Sequence, residues 1–108
     1  MATCNHGRTA PDQTLDNLHE SQAGPGVQRH KCTECAYDQG FQIGLHQAIA
    51  PGGNAECKHT GRRAPKDMIE SLPESQAGPG RHKCAICAYH EGFQTGRSSA
   101  GQLPPMSP

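Results

Sequence analysis

Apolar bulk is what this chain lacks. Its 108 residues include no tryptophan, two tyrosines and two phenylalanines, so an aromatic core of ordinary size cannot be assembled from them. Only 32% of the residues are hydrophobic, and a segment of roughly 50 residues buries too little surface to fold on apolar burial alone. No run approaches the roughly 20 apolar residues of a membrane span. The N-terminus reads Met-Ala-Thr-Cys-Asn-His and has no apolar stretch of the signal-peptide type, so a cytoplasmic location away from membranes is expected. Excess charge is missing as well. Ten Lys and Arg balance ten Asp and Glu, which leaves out the strong basic footprint of a non-specific nucleic-acid binder.

What is present is cysteine, histidine and glycine in a repeated pattern. Cys4-x-His6 is followed by Cys32-x-x-Cys35, and Cys57-x-His59 by Cys84-x-x-Cys87. All six cysteines fall inside this pattern. Each copy supplies three thiols and one imidazole, the donor set of a closed four-coordinate zinc site. Two zinc ions per chain are therefore expected, on Cys4, His6, Cys32 and Cys35 and on Cys57, His59, Cys84 and Cys87. Three disulfides are the alternative in a small secreted protein. They fit poorly, because three cysteines per repeat leave one thiol unpaired. A Cys-x-x-Cys pair aims two sulfurs at one point, and the Cys-x-His pair brings two more donors across a loop of ~25 residues. Closing such a loop without a metal is entropically unfavourable, so binding and folding should be coupled. His30 and His82 lie two residues before a Cys-x-x-Cys cysteine and remain alternative ligands to His6 and His59. His19, His46 and His90 have no repeated partner and are expected to face solvent.

The duplication extends beyond the ligands. Glu20 to Gly26 recurs as Glu74 to Gly80, Arg29-His30-Lys31-Cys32 as Arg81-His82-Lys83-Cys84, and Gly40-Phe41-Gln42 as Gly92-Phe93-Gln94. The expected organisation is a first module over 1–49, a linker over 50–56, a second module over 57–97 and a flexible Ser-, Gly- and Pro-rich tail over 98–108. Within each repeat a short helix begins near Pro11 or Pro65, residues suited to a helix start. Leu15 with Leu18, and Ile69 with Leu72, sit three apart and should face inward. A longer helix is expected over 34–49 and over 86–100.

That longer helix has an unusual face. Ala36, Gly40, Gly44 and Ala48 are spaced by four, as are Ala88, Gly92, Gly96 and Ala100. Residues four apart share one side of a helix, and glycine inside a helix costs about 1 kcal/mol relative to alanine. Two such glycines per helix imply a steric need, most simply that the two helices pack on each other about a pseudo-two-fold axis. The alternative is that Gly40 and Gly92 end short helices as C-caps.

A knuckle, a loop and a Cys-x-x-Cys opening a helix resemble a treble-clef zinc finger. The run Cys-x-His, Gln-Ala-Gly-Pro-Gly, Arg-His-Lys-Cys-x-x-Cys-Ala-Tyr also resembles small bacterial zinc modules, some of them linked to HNH-type restriction nucleases. The resemblance spans 4–44 and 57–96. It implies a small zinc-stabilised fold of two tandem treble-clef-like modules, mostly short helices and loops with little strand. No separate nuclease motif and no acidic cluster suited to magnesium accompany it, so a non-enzymatic role is expected. Residues 56–97 carry seven basic and five acidic residues, whereas 4–44 carry three basic and five acidic. A nucleic-acid surface is therefore expected on the second module, at Arg62, Arg63, Arg81 and Lys83. The competing expectation is a protein-interaction adaptor, for which opposite charge on the two halves would also suit a homodimer.

Overall fold

The computed structural model describes residues 2–4, 6–18, 31–46, 53, 55–57, 62–74 and 83–102. Each repeat opens on a small hairpin. In the first, β1 (Ala2–Thr3) pairs antiparallel with β2 (Thr9–Ala10). Just past β1, the Cys4 N–H donates to the Arg8 carbonyl at 2.9 Å and the Gly7 N–H donates to the Cys4 carbonyl at 3.0 Å. This tight turn holds Gly7 at φ +83°, where a Cβ would be strained and glycine is not. In the second repeat, β3 (Ala55–Glu56) pairs antiparallel with β4 (Arg63–Ala64), and the Cys57 N–H donates to the Arg62 carbonyl at 3.0 Å. The strand β3 corrects the linker expected over 50–56. Residues 55 and 56 belong to the second hairpin, and Gly53 lies directly against the Ala64 carbonyl.

A short helix follows each hairpin, α1 (Asp12–Asn17) and α3 (Lys66–Glu70), with Pro11 and Pro65 at the capping position in extended conformation. The three-residue spacing read from the sequence is borne out: Leu15 and Leu18 in one repeat, and Ile69 and Leu72 in the other, are buried. The long helices are α2 (Thr33–His46) and α4 (Ala85–Gln102). Cys32 and Cys84 stand at their N-caps, with carbonyls that accept the Ala36 and Ala88 N–H groups at 3.0 Å. Helix α4 runs to Gln102, well into the tail expected to be flexible over 98–108. The end of the first long helix expected at Ile49, and Ala48 with it, lie outside the described residues. No helix among the described residues is long and apolar enough to cross a membrane.

The glycines are the seam of the molecule, not helix caps. Helix α2 continues through Gly40 and Gly44, and α4 through Gly92 and Gly96. A Cβ on Gly40 would collide with the Tyr89 carbonyl oxygen and stand 2.9 Å from the Phe93 nitrogen. One on Gly44 would strike the Phe93 carbonyl oxygen and stand 2.8 Å from the Arg97 nitrogen. The relation is reciprocal. Gly92 faces the Tyr37 carbonyl and Gly96 the Phe41 carbonyl. Each step of four along one helix matches a step of four in the same sense along the other, so α2 and α4 run parallel. Ala36 and Ala88 extend the same row and are fully buried. Missing side chains thus let two backbones touch, a geometry that also favours weak Cα–H···O contacts.

A second exchange locks the repeats together. Lys31, buried at the end of the first Arg-His-Lys-Cys run, donates from Nζ to the Glu70 and Leu72 carbonyls at 2.8 and 3.2 Å. Those carbonyls end α3, in the other repeat. Lys83 does the converse and donates to the Asp16 and Leu18 carbonyls at the end of α1, at 3.3 and 3.2 Å. Asp16 and Leu18 are the counterparts of Glu70 and Leu72, so the pseudo-two-fold relation holds down to single carbonyls. A lysine ammonium also suits the negative end of a helix. The backbone joins in. Lys31 bridges Glu74 as an isolated β-bridge, and the Cys32 N–H donates to the Pro73 carbonyl at 2.9 Å. One contiguous buried cluster contains Leu15, Tyr37, Ile69 and Tyr89 from both repeats. The repeats are successive in sequence, yet they build a single core.

Candidate metal centres

Each centre is assembled from a hairpin and a helix start. Cys4 and His6 come from the turn after β1, Cys32 from the N-cap of α2, and Cys35 from its first turn. The donor atoms of Cys4, His6, Cys32 and Cys35 all lie within 4.8 Å of one another. Cys4 and Cys35 sulfurs are 3.6 Å apart, and His6 Nδ1 stands 3.6 Å from the Cys35 sulfur. In the second centre Cys57, Cys84 and Cys87 converge within the same limit, and the Cys57 and Cys87 sulfurs are 3.8 Å apart. A tetrahedral ion with metal–sulfur bonds of about 2.3 Å needs sulfurs about 3.8 Å apart. The donor sets therefore fit a metal ion of this size at both places. All six cysteines are free thiols, and the disulfide alternative is set aside.

The helix starts add a supporting layer. The Cys87 N–H donates to the Cys84 sulfur at 3.5 Å, so the Cys84 side chain occupies the role that a Ser or Asp side chain plays at an ordinary N-cap. Backbone donors of this kind orient ligands and lower the charge on metal-bound sulfur. The parallel packing of α2 and α4 puts both N-termini, and both sulfur clusters, at the same end of the helix pair. Three thiolates around a divalent ion would carry one net negative charge. Such a charge at each helix start would offset the alignment of two parallel helix dipoles.

The thiols feel their crowding. Burial pushes Cys32 well above the ordinary thiol range and Cys35 up to about 11. The hydrogen bond with Cys87, and then burial, raise Cys84 further. At Cys4 burial also acts upward, but backbone hydrogen bonds from Arg8 and His6 outweigh it and lower the thiol to about 7. Thiols packed this way cannot all ionise without a cation among them, and a divalent ion supplies that charge.

The structure brings His6 to the first centre, as the Cys-x-His reading expects. His59, and the alternative ligands His30 and His82, lie outside the described residues. His46 is exposed at the end of α2. His90 corrects the solvent-facing expectation. It is only half exposed, sits edge-on to Tyr89 with ring centroids 5.3 Å apart, and its Nε2–H donates to the Arg63 carbonyl. Tyr89 itself is fully buried, and its hydroxyl has no hydrogen-bond partner among the described residues.

Three of the expected nucleic-acid residues, Arg62, Arg63 and Lys83, have partners within the fold. Arg62 forms an ion pair with Glu91 at 3.1 Å and donates to the Cys87 carbonyl at 3.5 Å. It borders a cleft of about 350 Å³ between α1 and α4. Arg63 pairs with Glu56 at 3.2 Å on the surface. Lys83 holds the α1 carbonyls, and Arg81 lies outside the described residues. Two residues with structural roles escaped the sequence reading. Lys31 is one. Glu34 is the other, a carboxylate only 4% exposed, 3.7 Å from the Cys32 sulfur and 3.3 Å from the Thr33 hydroxyl, where the second repeat has Ile86. The single signal for Lys31 was its place in the repeated Arg-His-Lys-Cys run. Comparisons of the chain with protein-family models, with curated proteins and with solved structures returned no match.

Proposed function

We propose that the chain is a non-enzymatic scaffold held by two zinc ions, and that its partner is another protein. Zinc is supported by the donor chemistry: three thiols and an imidazole at the first centre, and three thiols at the second, suit it better than calcium or magnesium, which take oxygen ligands. Four protein donors at the first centre leave no position for a reacting water, so the metal organises and does not react. The hairpin followed by a helix that opens on Cys-x-x-Cys supports kinship with treble-clef modules, including those linked to HNH-type nucleases. The choice of a protein partner rests on one observation. The Lys83 ammonium and the Arg62 guanidinium, expected to meet phosphates, are committed to the Asp16, Leu18 and Cys87 carbonyls and to Glu91.

A nucleic-acid partner is the second reading, and Arg63 favours it. The Arg63 and Glu56 side chains are 65% and 51% exposed, and an ion pair that open to water is worth about 0–1 kcal/mol, so Arg63 can exchange Glu56 for a phosphate. Titration of labelled short DNA and RNA with the zinc-loaded protein separates the two readings. The scaffold reading expects no saturable binding at low salt. Binding at micromolar affinity or tighter, weakening steeply with salt as counterion release requires and lost in Arg63→Glu, would overturn it in favour of nucleic acid.

A further inference from the structure

We infer that the two metal centres load cooperatively, because the arm carrying each Cys-x-x-Cys is anchored on the repeat that holds the other centre. The inference rests on reading both clusters as metal sites. In the first repeat, Cys32 is followed by α2 and preceded by Lys31. The Cys32 amide is tied to the Pro73 carbonyl, and Lys31 Nζ to the Glu70 and Leu72 carbonyls. These carbonyls close α3, which begins two residues after β4. That strand completes the hairpin bearing Cys57. An ion that fixes Cys32 at the first centre therefore braces the element that presents Cys57 to the second. The path runs in reverse from the other side. Lys83, next to Cys84, holds the end of α1, and α1 follows the β1–β2 hairpin that presents Cys4 and His6.

The glycine seam carries the same linkage by a separate route. Cys35 and Cys87 lie in the first turns of α2 and α4, and these helices touch backbone to backbone. A helix start cannot shift at one centre without moving the row of carbonyls on which the partner helix rests. The first ion thus bears the cost of placing both arms, and the second finds its ligands already arranged, which is positive coupling by preorganisation. By reciprocity each ion strengthens the other equally.

Zinc titration of the full-length protein, followed by native mass spectrometry, tests this. For two equal sites, a tenfold coupling lowers the singly loaded fraction at half-saturation from one-half to about one-quarter. The expected spectrum has metal-free and two-zinc species, with the singly loaded form at or below that level. A singly loaded form making up half of the protein or more, the level of two independent sites, overturns the coupling while leaving the metal sites standing. Saturation below two ions per chain overturns the metal reading itself, and the coupling with it. In Lys31→Met/Lys83→Met the singly loaded form should rise toward half while two ions still bind at saturation. Undiminished depletion there would reject the crossed lysines as the route. Should the double variant not fold, Lys83→Met alone, at the more exposed of the two positions, replaces it with the same two outcomes.

Discussion

A thiol buried among thiols stays protonated until a cation arrives, and this gives the first centre a defined proton balance. In the folded site without an ion, burial holds Cys32 and Cys35 above the neutral range, Cys35 at about 11, while Cys4 lies at about 7; in a chain unfolded by loss of metal all three are ordinary thiols, mostly protonated at pH 7. An ion entering at pH 7 must displace the two protons on Cys32 and Cys35 and part of one on Cys4, roughly two to three protons in all. The sign follows. The bound ion depresses these thiols far below their metal-free values, so the stability it confers is present at neutral pH and is lost as pH falls. Calorimetric titration of the metal-free protein in buffers of different ionisation enthalpy should give a slope of roughly two to three protons per ion. A slope near zero would show that thiols are not the ligands. Beside these cysteines, Lys31 illustrates what a residue hides in sequence. It reads as a member of a basic run, yet its ammonium sits on carbonyls about 40 positions away, and no local pattern announces such a partner.

Among the elements, α2 and α4 were legible because a spacing of four is a helical spacing and glycine has no local reason to sit there. The seam makes a quantitative demand. Gly40→Ala should improve intrinsic helix propensity by about 1 kcal/mol, yet the added methyl meets the Tyr89 carbonyl, and overpacking against backbone costs about 1–3 kcal/mol. Urea unfolding of zinc-loaded Gly40→Ala should therefore show a net loss of stability. A gain would mean that the helices are free to separate. The hairpins were less legible. Strands of two residues are too short to show an alternating pattern, so Ala55 and Glu56 read as linker between Gly-Gly-Asn and Cys57. The end of α4 was hidden for a different reason. Ser98, Ser99 and Gly101 are poor helix formers, but the helix is already carried past Gly96 by its contact with Phe41. Tertiary contact overrides composition there, whereas Pro11 and Pro65 lie just before the short helices, where their carbonyls accept the first intrahelical bonds from Leu15 and Ile69. The cysteine geometry was the most legible part of the candidate sites, since the ligand spacing in sequence is the spacing that a hairpin turn and a helix start impose.

At the level of the whole molecule, on the reading that both clusters hold zinc, the low apolar content and the shared core make the metal ions part of the fold. Structural zinc contributes about 10–16 kcal/mol of apparent binding free energy in small finger peptides, more than this sparse core can replace. Prolonged treatment with a strong chelator should abolish the helical circular-dichroism signal in a single transition. Cys84→Ser should disturb amide resonances from residues 2–18 as well as from 83–102. Survival of the first repeat's spectrum in that variant would mean that the repeats fold separately. The sequence shows two copies in succession and gives no sign that their arms cross, because the crossing depends on which half each lysine reaches. The crossed lysines also bear on how such a duplication can be inherited. One repeat moved alone into another protein would carry a glycine groove with no helix to fill it, a lysine with no carbonyls to hold, and a short helix with its C-terminal end bare. The pair can be shuffled only as a pair, and a change at the Gly40 end of the seam is tested against the Tyr89 end before it can persist, so the two copies must diverge in step.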